Sequence, residues 1–146
     1  MQKGFVVAVK AVIVRENRVL VLQRSKEEME QSHLNKHQKW DLPGGGVYFH
    51  EKSEDGLHRE IWEETHLQVE IKKPISLFDV IRNQVHLCIF TYAAVWKSGE
   101  VCLSHEHEAF DWFTLEEVEK SSMPYWLKRD ILQAFTEVYQ TKANHT

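Results

Sequence analysis

Between Gly45 and Leu67 the chain carries a spacing that few folds accommodate. It reads Gly45, five residues, Glu51, seven residues, then Arg59-Glu60-Ile61-Trp62-Glu63-Glu64-Thr65-His66-Leu67, and it starts within a glycine-rich turn, Pro43-Gly44-Gly45-Gly46. On a helix, Glu60, Glu63 and Glu64 stand at i, i+3 and i+4 and share one face. Like charges so placed repel and cost helix stability, so the segment needs a compensating cation and a firm anchor. A hard divalent cation such as Mg2+ meets the first need, because it prefers carboxylate and water oxygens. Arg59 is a second neutralising charge and can hold one glutamate in a two-point hydrogen bond. Leu57 and Ile61 fall on the adjacent face and meet the second need. Gly56, one turn before Glu60, leaves room for a close approach. The ordinary alternative is a solvated acidic helix face. Gly45 and Glu51 ahead of the helix weigh against it: with Gly, Glu and Arg each roughly 6–7% of residues, six such identities coincide on the order of once in 10^7 starting points.

The rest of the chain reads as alternating strands and helices. Residues 5–14 and 19–23 are β-branched and apolar and predict two strands joined at Arg15-Glu16-Asn17-Arg18. Residues 25–39 predict a long loop, or a short helix followed by a loop, and long connections are often functional. Trp40 to Leu42 is a short extended piece ending at Pro43, and residues 44–50 read as a loop. The acidic helix lies within 51–65, with Ser53 as its expected cap. Leu67, Val69 and Ile71 alternate with polar residues and predict a strand. Residues 75–81 and 85–96 form a hairpin around Arg82-Asn83. A turn at Lys97-Ser98-Gly99-Glu100 leads to Val101-Cys102-Leu103, and 110–113 is a short aromatic strand. Thr114 with Glu117 three residues on is a capping box for a helix at 115–120. Residues 124–139 predict a terminal helix, with apolar positions Leu127, Ile131, Leu132, Phe135, Val138 and Tyr139 at helical spacing. Mixed strands, a central helix and a late helix give an α+β chain or an α/β/α sandwich. No internal repeat or linker divides residues 1–146, which read as a single domain.

Composition bounds the function. The 146 residues include 42% hydrophobic and 27% charged residues, ordinary values for a globular domain. The net charge of −4 argues against a duplex nucleic-acid binder, which would show a basic face. Cys88 and Cys102 give no disulfide framework and read as buried thiols, which favours a reducing, cytoplasmic setting. No run reaches the length of a membrane span, so neither a membrane nor an anchor is expected.

The segment from Gly45 to Leu67 resembles the signature of the Nudix (MutT-like) hydrolases, and Trp40 to Val47 resembles the stretch that usually precedes it. The signature covers about a sixth of the chain, and the element order matches a whole domain of that family. One position departs from it: His66 stands where the family carries a second glycine. That residue looks like a helix C-terminal position with positive φ, which histidine tolerates at some cost. The resemblance implies the Nudix fold, a mixed sheet between helices. It also implies hydrolysis of a pyrophosphate bond in a nucleoside di- or triphosphate derivative, with Mg2+ (or Mn2+) as cofactor and a small nucleotide as partner. It allows a homodimer. The first expectation is a nucleoside triphosphate split to monophosphate and pyrophosphate. A nucleotide sugar, another diphosphate conjugate, or a domain that senses nucleotides without turnover are the alternatives.

Carried onto this sequence, the resemblance makes Glu63 and Glu64 the first metal ligands. Glu60 becomes a ligand or water-activating base, and the Gly45 carbonyl a further ligand. Arg59 belongs to the catalytic set, and Glu51 supports it or reaches the metal through water. Gly46 brings backbone close to phosphates. The base can also lie outside the signature, and Glu106, in Ser104-His105-Glu106-His107-Glu108, is the outside candidate, with an exposed polar loop as the plainer reading. His105 and His107 have the spacing of a metal pair on a strand, but imidazole suits zinc more than Mg2+. Arg24 and Lys10 are candidate phosphate or cleft residues, and Trp40 is the tryptophan expected nearest the ligand. Residues 86, 88, 90 and 92 share one strand face, whose aromatics have two readings, stacking on a base or packing into the core, the more frequent role. His33, His37, His50, His58 and His145 read as surface histidines.

Overall fold

A computed structural model describes residues 4–31 and 38–143, with side chains to residue 140. The frame is a seven-stranded sheet. Strands β1 (Gly4–Arg15), β2 (Arg18–Arg24), β3 (Trp40–Asp41), β5 (Gln68–Arg82) and β6 (Val85–Ser98) run in the order β3-β2-β1-β6-β5. Strand β4 (Gly44–Gly46) adds to β1, and β7 (His107–Thr114) adds to β2. The β1–β6 pairing is parallel and the others are antiparallel, so the sheet is mixed as expected.

Period-2 alternation divides each strand between two cores. Val9, Ala11, Ile13, Leu20 and Leu22 pack with Leu57 and Ile61 of helix α2 (Ser53–Thr65) on one face. Val12, Val14, Val19 and Val21 pack with Leu127, Ile131, Ala134 and Val138 of helix α4 (Tyr125–Ala143) on the other. Helix α3 (Leu115–Lys120) joins the second layer through Val118, behind the expected Thr114–Glu117 capping box. Helix α1 (Lys26–Gln31) supplies the short helix after β2, and the expected His33, His37 and His145 lie outside the described residues.

Several expectations need correction. The 44–50 loop begins as strand β4, because Gly44, Gly45 and Gly46 pair with Lys10, Val9 and Ala8. Ser53 is the first helical residue rather than the cap. Lys52 occupies that position without a side-chain bond, and the Ser53 hydroxyl pairs with Tyr92 Oη at 2.9 Å. The two strand runs at 67–81 fuse into one edge strand, β5, which absorbs Pro74 between register shifts, where proline does least harm to the ladder. Residues 101–104, which follow the expected turn, carry no regular structure and hang on the end of α2, with Cys102 N–H donating to Thr65 O at 3.0 Å and Ser104 N–H to Glu64 O at 3.4 Å. The thiols are not buried: Cys88 is half-buried and Cys102 exposed. Leu132 and Tyr139 lie off the packed stripe of α4 and are exposed, whereas Ala134 takes a core position.

Candidate active site

Arg59 organises the carboxylates around it. Its Nε donates to Glu51 Oε2 at 2.8 Å and its Nη2 to Glu51 Oε1 at 3.0 Å, the two-point pair that the sequence allowed. Nη1 donates to Glu60 Oε1 at 3.1 Å and Glu63 Oε2 at 3.3 Å, and Nη2 also donates to Gly46 O at 2.9 Å. The Tyr48 ring lies 4.0 Å from the guanidinium carbon. These bonds from Arg59, with the Tyr48 N–H, hold the Glu51 carboxyl down at about 2. Two glycines make the approach possible. A side chain at Gly45 would place Cβ 2.7 Å from the Glu60 carboxylate, and one at Gly56 would place it 2.9 Å from Glu51 Oε1. The room at Gly56 therefore serves Glu51, not Glu60.

Glu64 is set differently. It is 3% exposed and accepts the Gly44 N–H at 2.7 Å on Oε1. Burial pushes its carboxyl up to about 9. The Lys10 charge and the Gly44 N–H oppose this, while Asp41 and Glu106 add to it. Burial also raises Glu60, and Glu63 and Glu106 push the same way against Arg59. Several acids thus share one field with too little positive charge.

Behind Glu64 runs a fixed chain of groups. Lys10 Nζ donates to Asp41 Oδ1 at 3.0 Å and to Leu42 O at 3.2 Å. Asp41 Oδ2 lies 2.9 Å from Nε2 of the buried His107. Burial alone would raise Asp41; Lys10 and His107 outweigh it and hold the carboxyl at about 2. Because that carboxylate can only accept, His107 Nε2 carries a proton towards it. Nδ1 is buried without a hydrogen-bond partner and faces Glu64 Oε2 at 3.9 Å. Glu64, Glu106 and His107 each offer a ligand atom within 4.8 Å of the others. A buried carboxyl short of positive charge, a second carboxylate and a ring nitrogen without a partner form a donor set that a divalent cation fits.

These groups form one end of a cavity of about 420 Å³. Lys10, Arg24, Trp40, Gly45, Glu64 and Glu106, all expected site residues, line it. Arg24 donates to Gln38 O at 3.1 Å and to Glu28 O at 3.3 Å, and Trp40 Nε1 lies 3.3 Å from Ser122 Oγ. Glu51, Arg59, Glu60, Glu63 and Gly46 form the neighbouring cluster around Arg59, where Glu63 is half-exposed and the other acids are more enclosed. The far end, on the β5 and α4 side, is lined by Ser76, Phe78, Trp126 and Asp130, with Ile89 of β6 beside Phe78 and Thr91 beside Lys10. Asp130 is 5% exposed, accepts from the Ser76 hydroxyl at 3.3 Å, and is raised by burial against the pull of Arg129 and Ser76.

Sequence reasoning missed Asp41 and Asp130, and it placed His107 in a polar loop when the residue opens β7 and is buried. Signals existed: Lys10 inside an apolar strand implies a partner, and Asp130 interrupts the apolar stripe of α4. On β6 the cavity face carries Ile89 and Thr91, while Phe90 and Tyr92 pack into the α2 core, so the aromatics of that strand take the packing role.

A family model described as the NUDIX domain matches residues 4–135. A MutT-like protein of Streptomyces ambofaciens is 33% identical over 115 residues, spanning 78% of this chain and 67% of that protein. The crystal structure of a MutT protein from Methanosarcina mazei Go1 superposes with a TM-score of 0.71 at 27% identity, covering 94% of this chain and 97% of that one. A C. elegans Ap4A hydrolase, solved as a binary complex, gives a TM-score of 0.71 over 93% and 98% of the two chains; at 23% identity that likeness is one of fold. Among the described residues no helix is long and apolar enough to cross a membrane.

Proposed function

The chain belongs to the NUDIX family of pyrophosphohydrolases, and we propose that it hydrolyses a nucleoside triphosphate to the monophosphate and pyrophosphate with Mg2+ as cofactor. The observation that carries this reading is one cavity joining two chemistries. Glu64, Glu106 and Gly45 line the end suited to a metal and a diphosphate, and Phe78, Trp126 and Asp130 line the end suited to a base.

Glu60, Glu63, Glu64 and the Gly45 carbonyl are the residues that would hold Mg2+ (or Mn2+). When bound, the ion neutralises phosphate charge, polarises phosphorus and lowers the pKa of water. The chain's own groups do the rest. Arg59, held by Glu51, fixes Glu60 and Glu63, so the carboxylates need little rearrangement on binding substrate. Glu60, whose proton affinity is raised by burial and by the neighbouring carboxylates, or else Glu106, takes the water proton. Lys10 and Arg24 supply positive charge along the phosphate path. Gly46, its carbonyl held by Arg59, keeps backbone beside the phosphates. Trp40 adds to the cavity wall from β3. At the far end the buried Asp130 oxygens accept hydrogen bonds, which favours a base with adjacent N–H donors, such as guanine, over adenine.

Turnover of a panel of nucleoside triphosphates, nucleotide sugars and dinucleotides with Mg2+ tests this. Nucleoside monophosphate and pyrophosphate are the expected products, with Glu64→Gln losing about 10²-fold or more in kcat. A nucleotide sugar turned over in preference would move the assignment to a diphosphate-conjugate pyrophosphatase. Nucleotide binding without turnover, unaffected by Glu64→Gln, would leave a sensing domain instead.

A further inference from the structure

On the α2 side of the sheet, beyond the end of that helix, a second group of metal-binding side chains lies apart from the cavity. Cys88 and His86 stand at i and i+2 on β6 and point the same way. Asp79 on β5 is the direct cross-strand partner of Cys88. Cys88 Sγ lies 3.7 Å from His86 Nε2, and Asp79 Oδ2 lies 3.9 Å from the same nitrogen. One ligand atom from each residue falls within 4.8 Å of the others.

Two arrangements of a cysteine, a histidine and an aspartate need to be told apart. In a nucleophile relay the thiol meets one ring nitrogen and the carboxylate the other, so that the acid orients the base. Here thiol and carboxylate both approach Nε2. Convergence on a single nitrogen defeats a relay and suits an ion placed among the three. Zinc bonds of about 2.0–2.3 Å at tetrahedral angles put donor atoms about 3.4–3.6 Å apart. The observed 3.7 and 3.9 Å need only a small contraction, within reach of partly exposed side chains. The Phe5 ring meets the His86 ring edge-on at 5.1 Å and steadies it.

We propose that Asp79, His86 and Cys88 form a binding site for a transition-metal ion of the Zn2+ type, distinct from the carboxylate site in the cavity. A thiolate and an imidazole select zinc-like ions, whereas Mg2+ prefers oxygen. Three protein ligands leave a fourth position open to water. The site has a structural consequence. The next pair along the same ladder, Phe78 and Ile89, points to the opposite face and lines the far end of the cavity. An ion bridging β5 and β6 at Asp79 and Cys88 therefore braces the wall behind that end.

Co2+ is the probe, in a full-length Cys102→Ser protein that removes the exposed second thiol. Stoichiometric Co2+ is expected to give a thiolate-to-cobalt charge-transfer band in the near ultraviolet. Zn2+ should abolish the band, and excess Mg2+ should not. Co2+ bound to the cavity carboxylates contributes no such band, since its ligands there carry no sulfur. Adding Cys88→Ser should remove the band, with circular dichroism confirming the fold and Mg2+-dependent turnover unchanged. No band in the Cys102→Ser protein, or a band that survives Cys88→Ser, overturns the proposal. The unaltered chain gives a check free of substitution. Zn2+ should slow alkylation of Cys88 by about tenfold or more relative to Cys102, because the free thiolate is the reacting species. Equal alkylation of the two thiols with and without Zn2+ also overturns it.

Discussion

At the Arg59 end of the site, beside Glu64, the charged groups are fixed by neighbours on β4, the loop after it and one helix; at the Asp130 end, the wall is gathered from β5, β6 and α4. Arg59 reaches Glu51, Glu60, Glu63 and Gly46 within a span of eighteen residues. Ser76 and Asp130, by contrast, meet across 54 positions. The first end is a local motif with its geometry built in, and it can be moved through evolution only as a block. The second is a meeting of separate elements, each free to change. Chemistry shared by a family and selectivity peculiar to one chain are expected to divide along that line.

Gly45→Ala attacks the local end hardest. Its Cβ would come within 2.7 Å of the Glu60 carboxylate, so Glu60 must leave Arg59 or β4 must shift. A drop in kcat of about 10²-fold, with KM little changed and the fold retained, is expected from a displaced catalytic carboxylate. Steady-state kinetics beside a thermal melt checks it. Unchanged kcat would mean that the position of Glu60 is immaterial.

Asp130→Asn probes the other end. It swaps one acceptor oxygen for a donor in a buried place, so the proposed preference for guanine over adenine nucleotides should fall about tenfold in kcat/KM. The kcat on the poorer nucleotide should stay within about threefold, since no group near the phosphates is touched. Equal loss on both nucleotides would erase the distinction between the ends.

The same division governs what was legible in the sequence. Glu51, Arg59 and the three helical glutamates could be placed because helix periodicity and a short loop fix their distances, and the Arg59–Glu51 pair could be foreseen in kind. The positive φ at His66 was legible from the glycine that the resembling family carries at that position. Asp130 and Ser76 were not, because nothing local records that the cavity face of β5 meets α4. His107 was misread since it is buried beside Asp41 and Glu64, groups from segments distant in sequence. The cysteines were misread for a related reason: an apolar run indicates burial only where something covers that stretch, and α2 does not reach Cys88.

A smaller effect separates the charges of the local end by pH. The Glu51 carboxyl falls from an ordinary 4.5 to about 2 in the folded chain, and Asp41 from 3.8 to about 2. A depressed carboxyl stabilises the fold above its unfolded pKa, and that stability is lost as pH falls through the folded value. Acid should therefore destabilise the protein progressively between about pH 4.5 and 2. Glu51→Gln should be less stable than the parent at pH 7, and the gap should narrow through that window. Urea midpoints at pH 7, 4 and 2.5 measure it; a gap that stays constant with pH would show that the Arg59–Glu51 ion pair adds nothing to stability.

The smallest expected effect concerns His66, where the local motif departs from its usual glycine. Its φ of 62° is left-handed, a conformation costing an L-residue about 1–2 kcal/mol that glycine avoids. Against this, the imidazole stacks on the Trp62 ring with centroids 5.0 Å apart and planes 19° from parallel, an arrangement worth about 0.5–1.5 kcal/mol. Glycine would relieve the strain, lose the stack, and add unfolded-state freedom. The three contributions nearly cancel, so His66→Gly alone should change stability by less than about 1 kcal/mol and leave kcat alone. Removing the stack first exposes the strain. In a Trp62→Ala background the same His66→Gly change should be more favourable by about 0.5–1.5 kcal/mol, the coupling that a double-mutant cycle reads. Additive effects would mean that the stack contributes nothing, and that the histidine is tolerated at this helix end only because the hydrogen bond from its N–H to Trp62 O at 2.9 Å is available to any residue there.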